Sequence, residues 1–254
     1  MINILLSGCD GRMGQAFVAR LNDHPYMAVS VGLDMVPTER KGYPVYSDFS
    51  VIREKADIAV DFSHISLTPA LLDYCEQQKL PLVLCTTGIA GELESRVIEA
   101  AKTIPIFKSA NMSLGISLLQ SLVRQAAGVL GDEYDIEIIE KHHNQKVDAP
   151  SGTAIMIAEA AASALAFKPR YVYDRTGEHR KRDHQEIGIH AVRGGAIVGE
   201  HEAMFIGPHE TLTISHSARS RELFATGAVK AAEFLFDQTE PRIYNMDDLV
   251  RALT

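Results

Sequence analysis

"INILLSGCDGRMGQAFVARLND" (residues 2–23) is the stretch that decides the fold of the first half of the chain. "INILLSG" (2–8) is a short continuous apolar run and reads as a buried strand, while "RMGQAFVARLND" (12–23) carries the spacing of a helix. Between them lies "GCDGRMG" (8–14), a glycine-rich junction. Glycines at a strand–helix turn let the backbone approach a pyrophosphate, and the helix N-terminus then offers amides and a positive dipole end. The spacing is GxxGxxG rather than the usual GxGxxG, so its location carries more weight than the pattern. A second strand, "MAVSVGLD" (27–34), ends on an acid, Asp34, twenty residues after Gly14. A dinucleotide-binding unit places its acceptor for the adenosine ribose there. The bland alternative is a glycine turn that only permits tight strand–helix packing.

The same rhythm continues outward from this unit. "DIAVDFS" (57–63), "PLVLCTTG" (81–88) and "PIFKSAN" (105–111) read as strands, alternating with helical "LTPALLDYCEQQK" (67–79) and "GELESRVIEAAKT" (91–103). Apolar runs separated by helices are what a parallel sheet covered on both faces requires. The loops "CTTG" (85–88) and "SANMS" (109–113) fall at the carboxyl ends of such strands, where open α/β sheets bind ligands.

From about Leu114 the character changes. A long helix (114–131) leads to a strand, "DIEIIEKHH" (135–143), and an alanine-rich helix runs from Gly152 to about Leu165. "YVYDRTGEHRKRDHQE" (171–186) reads as a solvated loop. "IGIHAVRG" (187–194), "AIVGEHEAMFIG" (196–207) and "TLTISHSA" (211–218) alternate with period two and predict an antiparallel meander. A helix over 221–237 and a short polar tail close the chain. The expected fold class is α/β: a doubly wound, Rossmann-like first half and an α+β second half, read as two domains, with the return of the last helix to the first domain left open.

Composition excludes several classes. A net charge of −8 gives a nucleic-acid partner no global electrostatic support. The N-terminus lacks a basic n-region, and no run approaches the ~18 apolar residues of a membrane span. The three cysteines, Cys9, Cys75 and Cys85, are odd in number and form no CxxC pair, so neither a disulfide framework nor a zinc finger is expected. The cytoplasm is the expected compartment.

"EKHHNQKVDAPSGTA" (140–154) carries the chemistry. A metal site, a proton-transfer site and an anion pocket all draw on such residues. Adjacent His142 and His143 point to opposite faces of a regular strand, and nothing in the sequence brings His201 of "GEH" near them, so a metal is not expected. Histidine titrates near neutrality, and Lys146 adds a proton donor and a positive charge. Ser151, Gly152 and Thr153 fall at a helix start, where amides receive a carboxylate or phosphate.

"EIIEKHHNQKVDAPSGTA" (137–154) resembles the signature of the dihydrodipicolinate reductase family: Glu-Ile-x-Glu-x-His, three residues, then Lys-x-Asp-x-Pro-Ser-Gly-Thr-Ala. "GCDGRMG", "DFS", "TTG", "ANMS", "RGGAIVGEHEAMF" and "FATGAVKAA" also look like family segments in family order. The resemblance implies NAD(P)H-dependent reduction of hydroxy-tetrahydrodipicolinate to tetrahydrodipicolinate, with loss of water, on the way to diaminopimelate and lysine. It implies a Rossmann-like dinucleotide-binding domain of residues 1–112 and 222–254, completed by the C-terminal helix, and a second α+β domain of residues 113–221 on a mixed sheet that builds a homotetramer. It makes His142 the proton donor/acceptor and Lys146 the proton donor, with His143, Gly152 and Thr153, joined by Ser151, on the substrate carboxylates. The implied cofactor positions are Gly8, Cys9, Asp10, Gly11, Arg12, Met13, Asp34, Cys85, Thr86, Thr87, Ser109, Ala110, Asn111 and Met112. Two departures stand out. Many relatives carry glycine where this chain has Cys85, and often arginine where it has Met35. Asp34 without a following cation favours the free 2′-hydroxyl of NADH, although Arg12 remains within the loop, so NADH or dual use is expected.

Overall fold

The computed structural model describes residues 1–36, 42–131 and 133–253. The strands are β1 (Ile2–Ser7), β2 (Met27–Leu33), β3 (Val45–Tyr46), β4 (Ile58–Asp61), β5 (Leu82–Leu84), β6 (Ile106–Lys108), β7 (Asp135–His142), β8 (Arg170–Val172), β9 (Glu186–Arg193), β10 (Gly199–Ile206), β11 (Thr211–Ala218) and β12 (Ile243–Tyr244). The α-helices are α1 (Arg12–Leu21), α2 (Thr68–Gln78), α3 (Glu92–Ala100), α4 (Leu114–Leu130), α5 (Gly152–Ala162), α6 (Glu222–Phe236) and α7 (Met246–Leu253). The chain folds as two compact units, one of Met1–Ser113 together with the segment from Glu222 onward, the other of Leu114–Arg221.

The first unit is built on a seven-stranded sheet in the order β12-β6-β5-β4-β1-β2-β3. Every neighbouring pair is parallel. Parallel neighbours need crossovers, and strands covered on both faces bury every residue. Ile4, Leu5, Leu6, Ile58, Ala59 and Val60 are accordingly all fully buried. The strand order reverses beside β1, and such a switch opens a crevice at the carboxyl ends of the flanking strands. Helix α6 packs on α1.

The tail that reads as polar is corrected by the structure: it contributes β12, which pairs with β6, and α7. Tyr244 anchors it, fully buried, with its ring centroid 5.7 Å from that of Phe234 and the Arg242 guanidinium 3.7 Å above it. Asn245 caps α7 by accepting from the amides of Asp247 and Asp248. One aromatic in a two-residue strand is too short to register as alternation.

The second unit has a five-stranded sheet in the order β11-β10-β7-β9-β8. The expected meander is corrected too. Only β10 and β11 form an antiparallel hairpin, and β7 inserts between β9 and β10, parallel to β9 and antiparallel to β10. A strand whose inward stripe is fully buried belongs in the middle of a sheet, and β7 has such a stripe in Ile136 and Ile138. Helices α4 and α5 cover it, with Val123 and Ile157 meeting Ile138 and Phe205 in one core.

The segment that reads as a solvated loop (171–186) begins inside β8 and is largely exposed, but its arginines, with Arg170 just before it, pair with carboxylates. Arg170, Arg175 and Arg180 all bond the carboxylate of Glu186, whose side chain is 1% exposed. Arg182 reaches Asp135 at 2.6 Å and Glu137 at 3.1 Å. Burial opposes the ionised form of Glu186, yet Arg175 and Arg170 hold its carboxyl below the ordinary range.

The packing of the first turn is tight enough to test. A Cβ on Gly14 would lie 2.2 Å from the Gly8 carbonyl oxygen and 2.8 Å from Cys9 Cα, both backbone atoms. Gly14→Ala is expected to lower stability by about 1–3 kcal/mol, the usual effect of overpacking, read as a lower urea midpoint.

Candidate active site

Strand alternation builds the site of the second unit. The stripe that buries Ile136 and Ile138 continues as Glu140 and His142, so the same period of two buries a carboxylate and an imidazole at the end of β7. Register then sets Arg193 of β9 opposite His142, and His201 of β10 opposite Glu140.

Glu140 has no exposed surface, and both of its oxygens are occupied. Its Oε2 accepts from His142 Nδ1 at 2.6 Å and Arg193 Nη1 at 2.8 Å. Its Oε1 accepts from Arg193 Nη2 at 2.7 Å and the Ser151 amide at 2.9 Å. Burial resists ionisation, but the bonds from Arg193, His142 and Ser151 prevail and hold the carboxyl below its ordinary range. An ionised carboxylate can only accept, so Nδ1 of His142 is the donor.

Ser151 is the N-cap of α5; its Oγ accepts from the Ala154 amide at 3.2 Å and lies 3.2 Å from His201 Nε2. Both its amide and its hydroxyl are therefore engaged within the protein. Gly152 and Thr153 open α5 at its positive end. Between β7 and α5, half-buried His143 sits just past the strand, and Lys146 Nζ lies 2.9 Å from Asp148 Oδ1. Lys146 holds the Asp148 carboxyl below its ordinary range.

His201, which nothing in the sequence brings near, has its ring 5.2 Å from that of His142, edge to face at 74°. Burial, followed by the neighbouring His142, pushes its pKa down to about 4, so it is neutral at pH 7. Glu140, Arg193 and His201 are the polar residues of the site that the sequence reading leaves without a role. Glu140 was detectable as the residue two before His142 on one strand face; the other two depend on non-local register.

In the first unit, Gly8 has φ +74°, and a Cβ there would lie 2.7 Å from the backbone of Phe62 and Ser63. Gly11 caps α1 without a side-chain bond, the first turn holds no acid, and Arg12 is exposed. Close backbone approach, a helix start without a side-chain cap and a nearby acid suit a dinucleotide pyrophosphate and ribose. Asp34 accepts from the amides of Asp10 and Met35, both at 2.9 Å, and so lies against the glycine loop. Cys9, Asp10 and Asp34 each offer a ligand atom within 4.8 Å of the others.

The loops at 85–88 and 109–113 meet at a cavity of about 410 Å³, lined by Thr86, Thr87, Gly88, Ser109 and Ala110, with Ile243 and Asn245 from the tail. Thr86 Oγ1 donates to buried Asp61 at 2.5 Å, and the Cys85 amide donates to the Asp61 carbonyl at 3.0 Å, which ties this loop to β4. Lys79 is the one non-glycine residue with positive φ among the described residues, so Cys85 needs no glycine conformation. Asn111 Oδ1 accepts from the Ser113 amide at 2.9 Å, and Met112 is buried. No helix among the described residues is long and apolar enough to cross a membrane.

A dinucleotide-binding sheet and a second unit carrying an oriented imidazole define an oxidoreductase of the two-domain dehydrogenase type. Family models described as "Dihydrodipicolinate reductase, N-terminus" and "Dihydrodipicolinate reductase, C-terminus" match residues 2–112 and 115–250. The chain is 51% identical over 251 residues to the 4-hydroxy-tetrahydrodipicolinate reductase of Caldanaerobacter subterraneus subsp. tengcongensis, with 99% of each covered. It is 44% identical over 252 residues to that of Clostridium tetani, covering 99% of this chain and 98% of the relative. The chain belongs to the dihydrodipicolinate reductase family. The dipicolinate-bound dihydrodipicolinate reductase from Paenisporosarcina sp. TG-14 shares the fold, with TM-score 0.80, 23% identity, and 96% of this chain and 97% of that one covered.

The neutral state of His201 has a consequence for stability. Its folded pKa, about 4, lies below the unfolded value of 6.5, so the unfolded chain binds the proton more tightly in that window. The contribution is fully present above pH 6.5 and is lost as pH falls towards 4, on the order of 3 kcal/mol across the window. His201→Gln is expected to flatten this acid limb, measured as urea midpoints between pH 7 and pH 4; an unchanged slope would refute it.

Proposed function

We propose that the chain catalyses NAD(P)H-dependent reduction of 4-hydroxy-tetrahydrodipicolinate to tetrahydrodipicolinate, with loss of water, a step of diaminopimelate and lysine biosynthesis. The observation that carries this reading is His142, oriented by a buried carboxylate on the segment that runs through Lys146 into the start of α5. The substrate is a small cyclic dicarboxylate, the ligand class named for the Paenisporosarcina structure. Such a dianion suits His143, Lys146 and the N-terminal end of α5 at Gly152 and Thr153. Ser151 contributes by holding the turn, because its amide and hydroxyl are engaged elsewhere.

The dinucleotide, when bound, supplies the hydride. Gly8 to Met13 and Asp34 would hold its pyrophosphate and adenosine ribose, and Cys85 to Thr87 with Ser109 to Met112 the nicotinamide end. Reduction beside a ring nitrogen calls for a placed acid, and His142 and Lys146 are the groups that hold and deliver that proton. Asp34, followed by exposed Met35, supports NADH, with Arg12 leaving NADPH usable. The assembly is a cytoplasmic homotetramer.

His142→Ala and Lys146→Ala are each expected to lower turnover about 10²- to 10⁴-fold, the range for a lost proton-transfer group, while the Kd for NADH stays within about threefold. NADH oxidation with the hydroxy-tetrahydrodipicolinate made by the upstream synthase reads this out. Near-normal turnover in both variants would overturn the assignment. With the same assay, kcat/KM for NADH is expected to equal or exceed that for NADPH, and Asp34→Ala to shift the ratio towards NADPH.

A further inference from the structure

We infer that Glu140 and Arg193 are positioning residues that lock His142 in one tautomer, Nδ1 protonated and Nε2 the proton-exchanging atom, with Gly199 keeping Nε2 clear. The inference rests on the reading of His142 as the proton-handling group. A buried ion pair is weak support for stability, because desolvation offsets its attraction. The value of this one lies in what it aims. The Glu140 carboxylate faces His142 Nδ1 and the N-cap amide of α5, while the Arg193 fork saturates its remaining lone pairs. Arg193 Nη2 also donates to the Asp148 carbonyl at 2.7 Å, on the turn that bears Lys146. The Gly194 amide donates to the His142 carbonyl at 2.9 Å and the Asn144 amide to the Gly195 carbonyl at 3.2 Å, lashing that turn to the end of β9. One carboxylate–guanidinium unit thus fixes the imidazole, the helix start and the lysine turn together.

The groups facing His142 are few. From β7 there is Glu140, from β9 Arg193, and from β10 the ring of His201. Lys141 lies on the other face of β7, paired with Glu202 at 2.9 Å and Glu200 at 3.4 Å. At Gly199 a Cβ would come 3.1 Å from His142 Nε2 and 3.4 Å from Cδ2, so any side chain there crowds the nitrogen that must exchange the proton. With Nδ1 committed to an ionised acceptor, gain and loss of a proton at Nε2 leave the ring orientation unchanged.

The test begins with wild-type protein carrying 15N-labelled imidazoles, His142 being assigned from the spectrum of His142→Asn. Neutral His142 is expected with its proton on Nδ1; a proton on Nε2, or an even mixture, overturns the inference. Glu140→Gln should scramble the tautomer and lower kcat about 10²-fold or more, with KM and the NADH Kd within about threefold. Arg193→Lys, which keeps the charge and loses the fork, should fall between the two. A fixed tautomer and full kcat in Glu140→Gln would refute the lock. If that variant does not fold, Gly199→Ala decides: kcat about tenfold lower with normal NADH binding supports it, and unchanged kcat refutes it. A fixed tautomer alongside full turnover in His142→Ala would sink the proposed function instead, leaving the lock intact.

Discussion

The second unit depends on the hydrogen bonding of one carboxylate. Glu140 is completely buried, a position where a charge survives only if donors replace the water it has lost. It receives those donors from three elements: β7 itself through His142, β9 through Arg193, and the first residue before α5 through Ser151. This requirement constrains the topology. Parallel pairing brings the carboxyl ends of β7 and β9 to one edge of the sheet, while antiparallel pairing brings the start of β10, with Gly199 and His201, to the same edge. A meander of three consecutive antiparallel strands would have moved Arg193 away from His142. The strand order that packs the core therefore also assembles the chemistry.

In the first unit the corresponding constraint is steric. Gly8 and Gly14 approach other backbone atoms closely enough that a Cβ at either would overlap them. That closeness draws the glycine loop against β4 and leaves α1 to begin at Gly11 without a side-chain cap. Asp61 extends the arrangement, since its carboxylate holds Thr86 and the Ser63 amide and so fixes the neighbouring loop at the carboxyl end of β5.

What the sequence made legible follows from the range of each interaction. Continuous apolar runs such as Ile4 to Leu6 and the period of two in Ile136 and Ile138 are local signals, and they located the longer strands. Pairing is not local. Nothing in "EIGIHAVR" shows that β9 lies beside β7, so Arg193 could not be tied to Glu140, nor His201 to His142. The arginines between 170 and 182 looked like solvated charge because their partners, Glu186, Glu137 and Asp135, are distant in sequence or lie across a turn. The tail failed for the opposite reason. Tyr244 is a strong anchor, but a single buried ring has no period. The site stretch from Glu140 to Ala154 was legible as chemistry because its groups are contiguous, whereas the residues that orient those groups are not.

Two carboxylate–cation pairs within the site do opposite jobs, and burial decides which does which. The Asp148 side chain is 59% exposed, so its pair with Lys146 is of the surface kind, worth about 0–1 kcal/mol. Such a pair can be exchanged for a substrate carboxylate at little cost, which leaves Lys146 available as the proposed proton donor. The pair between Glu140 and Arg193 is bidentate, and the glutamate is wholly buried, so breaking it would strand a charge away from water. On the proposed function, a dianionic ligand would displace the exposed partner and leave the buried one in place. The same order of strengths would keep His142 aimed as Lys146 exchanged partners in the proposed reaction.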